Sequence, residues 1–478
     1  MGKWLSDFVP NSLGGFIAEK PPEQEKPDCA LIGQNGNTHN LAWIASRTLR
    51  EHGREAEAEE MVKRVFASGS YGEALNIIGE YVNITDSREE KNIRHRTPGG
   101  GGSGIMRVGI IDADLLYRPR QRFPNLACMK ISGFYKREGH RTELIQDYKE
   151  IRRYDRLFLF KVFTDTYVPN EILQLENLTY GGTGFYYDKA PPLPEEMEHG
   201  MPDYELYQDY IQGKMQPGKS KAAYKFYTDY SIGFLTRGCF RQCEFCVNKN
   251  SKRSVPASPL EEFMDSSRKK LCFLDDNFLA CREWERLLDS VLETGKRFQF
   301  RQGLNLRIMQ ESQMKKLFSG KLDDTVLFAF DDIRDRDVIE RKLDLLNRAV
   351  PVHKRIKFYV LCGFDRAGLW KPDFWGQDIR DTLERARILM RYKCLAYIMR
   401  YEKCWQSPYR GMYITISRWC NQPAQYAKKS LREFAAEQGE NSAACRYVQE
   451  FEKKHPELSE YLDMKYEEEA YHGAVYGY

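Results

Sequence analysis

The sequence predicts an α/β protein in which two parallel-sheet regions follow a small helical region. Three observations carry this prediction. Short apolar strands alternate with amphipathic helices from residue 106 onward, apolar residues recur at helical spacing between residues 41 and 82, and a glycine run separates the two parts. Alternating strands and helices favour parallel sheets. With 478 residues, 42% of them hydrophobic and 30% charged, the chain can fill several cores.

A glycine-rich run divides the chain. Residues 99–104 read Gly-Gly-Gly-Gly-Ser-Gly, and Met106 follows almost directly. Such runs behave as flexible tethers, so we interpret residues 99–104 as an engineered linker that joins two polypeptides. Residues 1–98 contain 12 basic and 15 acidic residues, and the rest of the chain contains 61 and 54. Opposite net charges suit two proteins that dock, although many unrelated pairs share this property.

Residues 1–98 are predicted to form a small all-α protein with a disordered N-terminal tail. Residues 1–28 are rich in Pro, Glu and Lys, a composition that favours disorder. Three groups of apolar residues at helical spacing then predict three helices. These groups are Leu41, Ile44, Ala45 and Leu49; Ala58, Met61, Val62, Val65 and Phe66; and Leu75, Ile78 and Val82.

A loop of amide and glycine residues lies between the tail and the first helix, and it includes Gln34, Asn35, Asn37 and Thr38. Because Asn and Thr are good helix caps, one interpretation is a turn followed by a cap. The other interpretation is that the loop is exposed and is presented to an enzyme as its site of modification.

Residues 105–215 are predicted to form a Rossmann-like domain. Four short apolar strands alternate with helices, one of which runs from about Leu126 to Tyr135. The strands are Val108–Asp112, Thr142–Ile145, Leu157–Phe160 and Leu178–Gly182.

Residues 216–405 contain six strand-helix units, which predict a partial (βα)6 barrel. In such barrels functional residues gather at the carboxyl ends of the strands. The strands are Ser231–Leu235, Lys270–Asp275, Arg297–Arg301, Thr325–Phe330, Ile356–Leu361 and Cys394–Met399. Residues 406–478 predict a helical extension, whose aromatic and arginine residues either close the barrel mouth over a substrate or simply cover the core.

Three cysteines stand together after the first of the six strands. Cys239, Cys243 and Cys246 form a Cys-x3-Cys-x2-Cys pattern, and cysteine thiolates are the normal ligands of iron–sulfur clusters. A structural zinc site would need a fourth ligand, and no other Cys or His flanks the triplet at zinc spacing. The remaining cysteines are dispersed and mostly suit buried apolar positions, although a second cluster gathered from distant loops is an alternative.

This triplet, with Gly238 before its first cysteine and Phe245 before its third, resembles the cluster motif of radical S-adenosylmethionine (radical SAM) enzymes. The resemblance implies that the three cysteines hold a [4Fe-4S] cluster whose fourth iron binds S-adenosyl-L-methionine. It also implies reductive cleavage of that cofactor to a 5′-deoxyadenosyl radical, which abstracts hydrogen from the substrate. The organisation of residues 106–400 matches the family, but only the cysteine loop is specific.

By the same resemblance, polar groups at the strand ends contact the bound S-adenosylmethionine. The end of the second strand would contact the methionyl ammonium, the end of the fourth the ribose, and the loop after the fifth the adenine. Taken singly, each residue is also explained as an ordinary cap or turn. The candidate residues are Phe245, Asp275, Asp276, Asn277, Gln299, Arg301, Asp331 and Gly363.

Residues 105–215 also resemble the cobalamin-binding domain that precedes the barrel in one class of radical SAM enzymes. In that class an Asp-x-His-x-x-Gly motif supplies the histidine that binds cobalt. No such motif follows Asp112, so we expect a domain that does not use cobalamin.

The fusion suggests the substrate. A tether raises effective concentration to about the millimolar range, so our leading hypothesis is an enzyme that post-translationally modifies the acidic protein at residues 1–98. Alternatively, that protein is a regulator or adaptor, and the enzyme acts on tRNA or a small molecule, as methylthiotransferases do. A third hypothesis is that the chain is a non-enzymatic iron–sulfur protein. Nucleic acid is not favoured, because the helical part is acidic.

The sequence also bears on partners and location. The resemblance implies an electron donor such as flavodoxin or ferredoxin. We find neither a signal peptide nor an apolar stretch of about 18 residues. The sequence therefore predicts a cytoplasmic protein without membrane contact.

Overall fold

A computed structural model of the chain describes residues 26–32, 38–68, 71–86, 104–118, 120–214, 221–249, 251–323, 325–350 and 355–466. Most of the predicted tail, the loop residues Gln34, Asn35 and Asn37, and residues 99–103 of the linker lie outside these ranges. The chain divides into two compact units, Met1–Gly104 and Ile105–Tyr478. The engineered origin of the linker stays a prediction.

The first unit contains the three predicted helices around one small core. They are α1 (Thr38–Glu51), α2 (Glu55–Ala67) and α3 (Tyr71–Tyr81). Their apolar faces meet at fully buried side chains, as the helical spacing predicts. These side chains include Leu41, Ala45, Leu49, Ala58, Met61 and Ile78.

The prediction that this unit is all-α is wrong, because two strands flank the helices. Strand β1 (Asp28–Ile32) pairs in parallel with β2 (Asn83–Asp86), with Cys29 opposite Ile84. The tail therefore ends before Asp28, and Cys29 is buried in the core. Each strand is too short to show a period of two, and the pairing joins segments about fifty residues apart, so only tertiary packing reveals it.

The second unit begins with a four-stranded parallel sheet in the order β4-β3-β5-β6, which is typical of doubly wound α/β folds. The prediction of four strands is confirmed to within one residue at each end. The strands are β3 (Arg107–Asp112), β4 (Arg141–Leu144), β5 (Arg156–Phe160) and β6 (Leu178–Gly181).

Helices accompany this sheet, and its apolar residues form one core on each side. The helices are α4 (Ala113–Tyr117), α5 (Leu126–Arg137), α6 (Asn170–Leu173), α7 (Thr183–Tyr186), α8 (Glu195–Glu198), α9 (Gln208–Lys214) and α10 (Lys225–Thr228).

Six further parallel strands follow in chain order, and each overlaps a predicted strand. They form two three-stranded sheets, β7-β10-β11 and β12-β13-β14. Two isolated β-bridges, Phe298–Leu322 and Leu304–Phe328, connect the two sheets. The strands are β7 (Tyr230–Gly233), β10 (Lys270–Phe273), β11 (Arg297–Phe300), β12 (Thr325–Ala329), β13 (Arg355–Cys362) and β14 (Leu395–Arg400). Closure of these strands into a barrel stays a prediction.

Helices cover one face of the six strands. Alternate strand residues such as Phe298, Phe328 and Phe358 pack against these helices in the largest core, as period-two alternation requires. The helices are α11 (Trp284–Glu293), α12 (Glu311–Ser319), α13 (Arg336–Ala349) and α14 (Pro372–Arg391).

The helical extension packs onto the last strand. The side chain of Asn421 accepts a hydrogen bond from the Ile398 amide (2.7 Å) and donates one to the Ile398 carbonyl (3.0 Å), so it covers the edge of β14. Among the described residues, no helix has the length and apolar character needed to cross a membrane. The extension consists of α15 (Arg410–Cys420), α16 (Pro423–Lys428), α17 (Leu431–Ala436), α18 (Ala443–Lys454) and α19 (Ser459–Leu462).

Candidate iron–sulfur and cofactor site

The three cysteines occupy one loop after β7, and backbone pairing closes the base of that loop. The short strands β8 (Thr236–Arg237) and β9 (Val255–Pro256) pair antiparallel on either side of it. Inside, the Cys239 amide donates to the Ser251 carbonyl at 3.0 Å, and the Cys246 amide donates to the Cys243 carbonyl at 2.9 Å. The loop is therefore a defined structure at the carboxyl end of the first strand.

Gly238 is required where it stands. Its φ of +93° lies in the left-handed region, and a Cβ there would meet the Arg253 carbonyl oxygen at 2.2 Å. Its amide donates to Asp276 Oδ2 at 2.7 Å, which ties the cysteine loop to the end of the second strand. The backbone conformation and the close carbonyl oxygen thus explain why a glycine stands at this position of the motif.

The three thiols are free, half-buried and close enough to influence one another. Burial raises the pKa of both Cys243 and Cys246, and the neighbouring cysteines raise both further. Among the described residues, no three His, Cys, Asp or Glu side chains surround a point where one metal ion would bind. The thiolates of a cluster bind different iron atoms, so the three cysteines need not converge on one point to hold a cluster.

Asn277 links the second strand to the first cysteine. Its Nδ2 donates to Cys239 Sγ at 3.3 Å, and its buried Oδ1 has no hydrogen-bond partner among the described residues. The buried Nε of Arg241, inside the cysteine loop, also lacks one. Buried polar atoms are nearly always paired, so both atoms suit contact with a bound polar group.

Asp275 and Asp276 brace the loop. The buried Asp275 carboxylate accepts hydrogen bonds from the Leu235 amide (3.3 Å), the Thr236 amide (2.6 Å) and the Thr236 hydroxyl (2.7 Å). Burial raises the pKa of Asp275 to about 7, against the effect of these hydrogen bonds. Its contacts fit the positioning of backbone at the start of the loop. The methionyl-ammonium contact expected from the sequence stays a prediction.

Asp331 and Gly363 lie at neighbouring strand ends. Asp331 Oδ1 accepts from the Leu361 amide at 3.1 Å, and burial raises the pKa of Asp331. Gly363 has a φ of +75°, and a Cβ there would meet Cys404 Sγ at 2.2 Å. The structure therefore explains both residues as parts of the strand-end geometry, and their predicted ribose and adenine contacts stay predictions.

Phe245 connects the cysteine loop to its surroundings. Its ring meets that of Phe364 edge-on at 5.3 Å, and Phe364 meets Tyr401 at 5.0 Å. The Tyr187 hydroxyl donates to the Phe245 carbonyl at 3.2 Å. The loop is thus held against the segments after β13 and β14 and against the end of the four-stranded sheet.

Gln299 and Arg301 are placed differently from the other candidates. Gln299 lies on the face of β11 that the helices leave uncovered, and Arg301 directly follows that strand. The Arg301 guanidinium lies 5.2 Å from the centre of the Phe226 ring. None of their described contacts reaches the cysteine loop. Sequence position grouped them with the strand-end residues, whereas the structure separates them.

Sequence reasoning missed two charged residues that influence the cysteine loop. Arg307 and Asp335 form an ion pair, and the charge of Arg307 opposes the pKa rise of Cys243. They come from separate turns and belong to no motif, so only the fold brings them together. Two of the dispersed cysteines lie together, where the Cys404 thiol donates to the Cys362 carbonyl at 3.6 Å. The alternative of a second cluster stays a hypothesis.

Comparisons with known proteins give distant likenesses only. No protein-family model matches the chain, and no curated protein does. One similar solved structure is the cobalamin-dependent S-adenosylmethionine radical enzyme OxsB with aqua-cobalamin bound (12% identity, 74% of this chain and 62% of that chain, TM-score 0.37). Another is the apo, selenomethionine-labelled form of OxsB (12% identity, 78% of this chain and 63% of that chain, TM-score 0.36).

The chain spans less than two thirds of the length of either OxsB structure, and both TM-scores are low. Its function is therefore argued below from its own residues. OxsB is described as cobalamin-dependent, whereas the missing cobalt-binding motif predicts that this chain does not use cobalamin. That expectation stays a prediction.

Proposed function

We propose that this chain is a radical S-adenosylmethionine enzyme. The observation that carries the proposal is the cysteine loop itself. Three free, half-buried thiols stand in one closed loop at the carboxyl end of the first of six parallel strands. Asn277 contacts one of their sulfur atoms and leaves a buried oxygen without a described partner. Functional residues of parallel α/β sheets lie at this edge.

Cys239, Cys243 and Cys246 would hold a [4Fe-4S] cluster. When bound, such a cluster supplies the electron that cleaves S-adenosylmethionine to methionine and a 5′-deoxyadenosyl radical. The hydrogen bond from Asn277 Nδ2 to Cys239 Sγ would lower electron density on that sulfur and so tune the redox potential of a bound cluster.

The other residues of the site position the loop and offer polar partners. Asp275 and Asp276 fix the backbone at residues 235–238 through hydrogen bonds of 2.6 to 3.3 Å. Phe245 packs against Phe364 and shields one side of the loop. The unpaired atoms of Asn277 and Arg241 suit the polar groups of S-adenosylmethionine. Such positioning and shielding protect a reactive intermediate from water.

The substrate that we propose is the small protein at residues 1–98. A folded helical core is too wide to enter a strand-lined cavity, so the target belongs to a loop or tail. The amide-rich loop with Gln34, Asn35, Asn37 and Thr38 is the first candidate, and the N-terminal tail is the second. Of these residues the structure describes Thr38, which begins helix α1.

The experiment is mass spectrometry after an anaerobic reaction with reductant and S-adenosylmethionine. We expect a mass change on residues 1–98 in the reconstituted chain and none when Asn35 and Asn37 are both replaced by Ala. If the reaction still changed the mass of residues 1–98 in that double variant, the modified residue would lie in the tail instead. 5′-Deoxyadenosine without any mass change would place the substrate outside this chain, as expected if residues 1–98 are a regulator or adaptor.

A further inference from the structure

The six strands present a second functional surface, on the face opposite their helices. Along β13, Ile356, Phe358 and Val360 pack into the helix-covered core, so Lys357 and Tyr359 point to the other side. Register places Lys357 beside Leu327 and Leu395, and Tyr359 beside Tyr397. Gln299 lies on the same side of β11, between the buried residues Phe298 and Phe300, and Arg301 directly follows that strand.

Part of this inner face is apolar and part is cationic. Near β7 and β10 it is packed by Phe123, Phe226 and Ile232. From β11 to β14 it carries Arg301 and Lys357 instead. The Arg301 guanidinium lies 5.2 Å from the Phe226 ring centre, and Lys357 Nζ lies 5.8 Å from the Tyr397 ring centre. The Tyr359 hydroxyl donates to the Arg301 carbonyl at 3.1 Å, which joins β13 to β11.

These two cations have aromatic neighbours but no acidic partner among the residues that the structure describes. Neither forms an ion pair or a side-chain hydrogen bond there. Burial lowers the pKa of Lys357, and the charges of Arg301 and Arg355 lower it further. The Lys357 side chain is half-buried, whereas Arg301 is exposed. A half-buried charge without a counter-ion is costly, so an anionic ligand would stabilise Lys357, with Arg301 as a second cation for the same ligand.

Lys357 lies farther from the carboxyl end of its strand than the cysteine loop does. Lys357 precedes Cys362, the last residue of β13, by five positions, which at about 3.3 Å per residue is roughly 16 Å. A group bound at Lys357 would therefore lie well below the strand edge that carries Gly363 and the cysteines, whereas Arg301 follows the last residue of β11 and reaches this group from the carboxyl end of that strand.

We propose that Arg301 and Lys357, with Gln299, Tyr359 and Tyr397 around them, bind an oxyanion group of the substrate, a carboxylate or a phosphate. The inference rests on the proposed function, because it assigns this face to the substrate of the same enzyme. An anionic anchor deep in the face would hold the far end of the substrate while its reacting carbon lies near the strand edge.

The test follows anion binding directly and needs no turnover. Lysines of the full chain are dimethylated with ¹³C, and the Lys357 resonance is assigned by its loss in Lys357→Met. Inorganic phosphate and glutarate are then titrated separately. We expect a saturable shift of this resonance, weakened about tenfold or more in Arg301→Gln. The tighter of the two probes identifies the group as phosphate or carboxylate.

Controls make the result specific. Lys453, exposed on α18, should show no saturable shift, and Lys453→Met should leave the Lys357 response unchanged. Excess S-adenosylmethionine should not displace the probe. A linear shift, an equal response in Arg301→Gln or displacement by S-adenosylmethionine would overturn the inference, the last by assigning the cations to the cofactor. Saturable binding in a chain that never cleaves S-adenosylmethionine would instead refute only the proposed function.

Discussion

The four-stranded sheet and the three-stranded sheet that begins with β7 end their first strands in opposite ways. After β3, Asp112 immediately caps helix α4 by accepting from the Leu115 amide (3.2 Å), and it also accepts from the Tyr207 hydroxyl (2.8 Å). After β7 the chain instead enters the cysteine loop, where buried atoms of Asn277 and Arg241 have no described partner. One strand end is closed by its own side chains, and the other is left open to a ligand.

Buried polar atoms without a hydrogen-bond partner lie near both strand ends, so such atoms alone do not distinguish the end of β3 from the end of β7. The hydroxyls of Tyr148 and Tyr227 also lack hydrogen-bond partners among the described residues. Burial raises the pKa of both tyrosines, and the charge of Asp112 raises it further. The two strand ends differ in the number of thiol groups near them. Near Asp112 there is one buried thiol, Cys128, whereas three half-buried thiols share the loop after β7. Equivalent positions in two parallel sheets thus serve packing in one case and, as we propose, cofactor binding in the other.

Replacing a cluster cysteine should have the largest effect. In Cys243→Ser we expect iron to fall from about four per chain to near zero, because one of three cluster ligands is lost. Cofactor cleavage should then be undetectable. Iron analysis and the visible absorption spectrum measure the first effect. Cys445→Ser, a change at a buried thiol on α18, is the matched control and should keep its iron. Full iron content in Cys243→Ser would contradict the assigned ligand set.

Gly238→Ala should disturb the loop next most strongly. A left-handed alanine costs roughly 1–2 kcal/mol, and here its Cβ would also overlap the Arg253 carbonyl oxygen. We expect a large loss of reconstituted iron with little change in the melting temperature of the rest of the chain. Gly139→Ala, near the four-stranded sheet, has a similar φ of +83° but no atom within 4 Å of the new Cβ. It should retain iron, and equal iron loss in both variants would show that the overlap is irrelevant.

Asn277→Ala should have a moderate effect. It removes the hydrogen bond to Cys239 Sγ, which we expect to make the cluster potential more negative and to slow cofactor cleavage about tenfold. Redox titration followed by electron paramagnetic resonance measures the potential. Asn421→Ala, at the edge of β14, controls for loss of a structural asparagine. An unchanged potential in Asn277→Ala would show that this hydrogen bond does not affect the cluster.

Asp112→Asn should leave cofactor cleavage unchanged and alter only how stability depends on pH. Burial raises the pKa of Asp112 to about 7, so between about pH 4 and 7 the folded chain holds a proton that the unfolded chain has lost. The free energy of unfolding should therefore fall as pH rises through this window and level off above it, by on the order of 3–4 kcal/mol for a fully buried carboxyl.

Asparagine is neutral throughout, so the variant should lose this part of the pH dependence, while the part due to Asp275 persists. Denaturant unfolding at pH 5 and pH 8 tests the difference. Asp209→Asn, at an exposed position, should behave like the parent chain. If Asp112→Asn also matched the parent chain, the strand end after β3 would not be closed by a protonated carboxyl.

Local pattern was enough to predict the elements around the site. All ten strands of the second unit that the alternation predicts are present, because each is a short buried run followed by a helix or loop with its own signal. The β1–β2 pair was missed, since its two segments are short and meet only through packing. The cysteine spacing identified the loop, but its closure by β8 and β9 joins residues on either side of it and has no sequence signature.

Side-chain roles were harder to predict than strand positions. Asp275, Asp276 and Asn277 follow one strand, yet the first two brace backbone and the third contacts sulfur. Gln299 lies within β11 and Arg301 directly follows it, and the Arg301 guanidinium contacts Phe226 rather than the cysteine loop. Which way a polar side chain points depends on register between strands, and a single sequence does not contain that register.

The most direct test of the central claim is the yield of 5′-deoxyadenosine. The full chain is reconstituted with iron and sulfide under anaerobic conditions and given S-adenosylmethionine and dithionite, beside a variant in which Cys239, Cys243 and Cys246 are all alanine. We predict 5′-deoxyadenosine and an equal amount of methionine from the parent chain and none from the variant. An intact cluster in the parent chain with no 5′-deoxyadenosine would contradict the assignment as a radical S-adenosylmethionine enzyme.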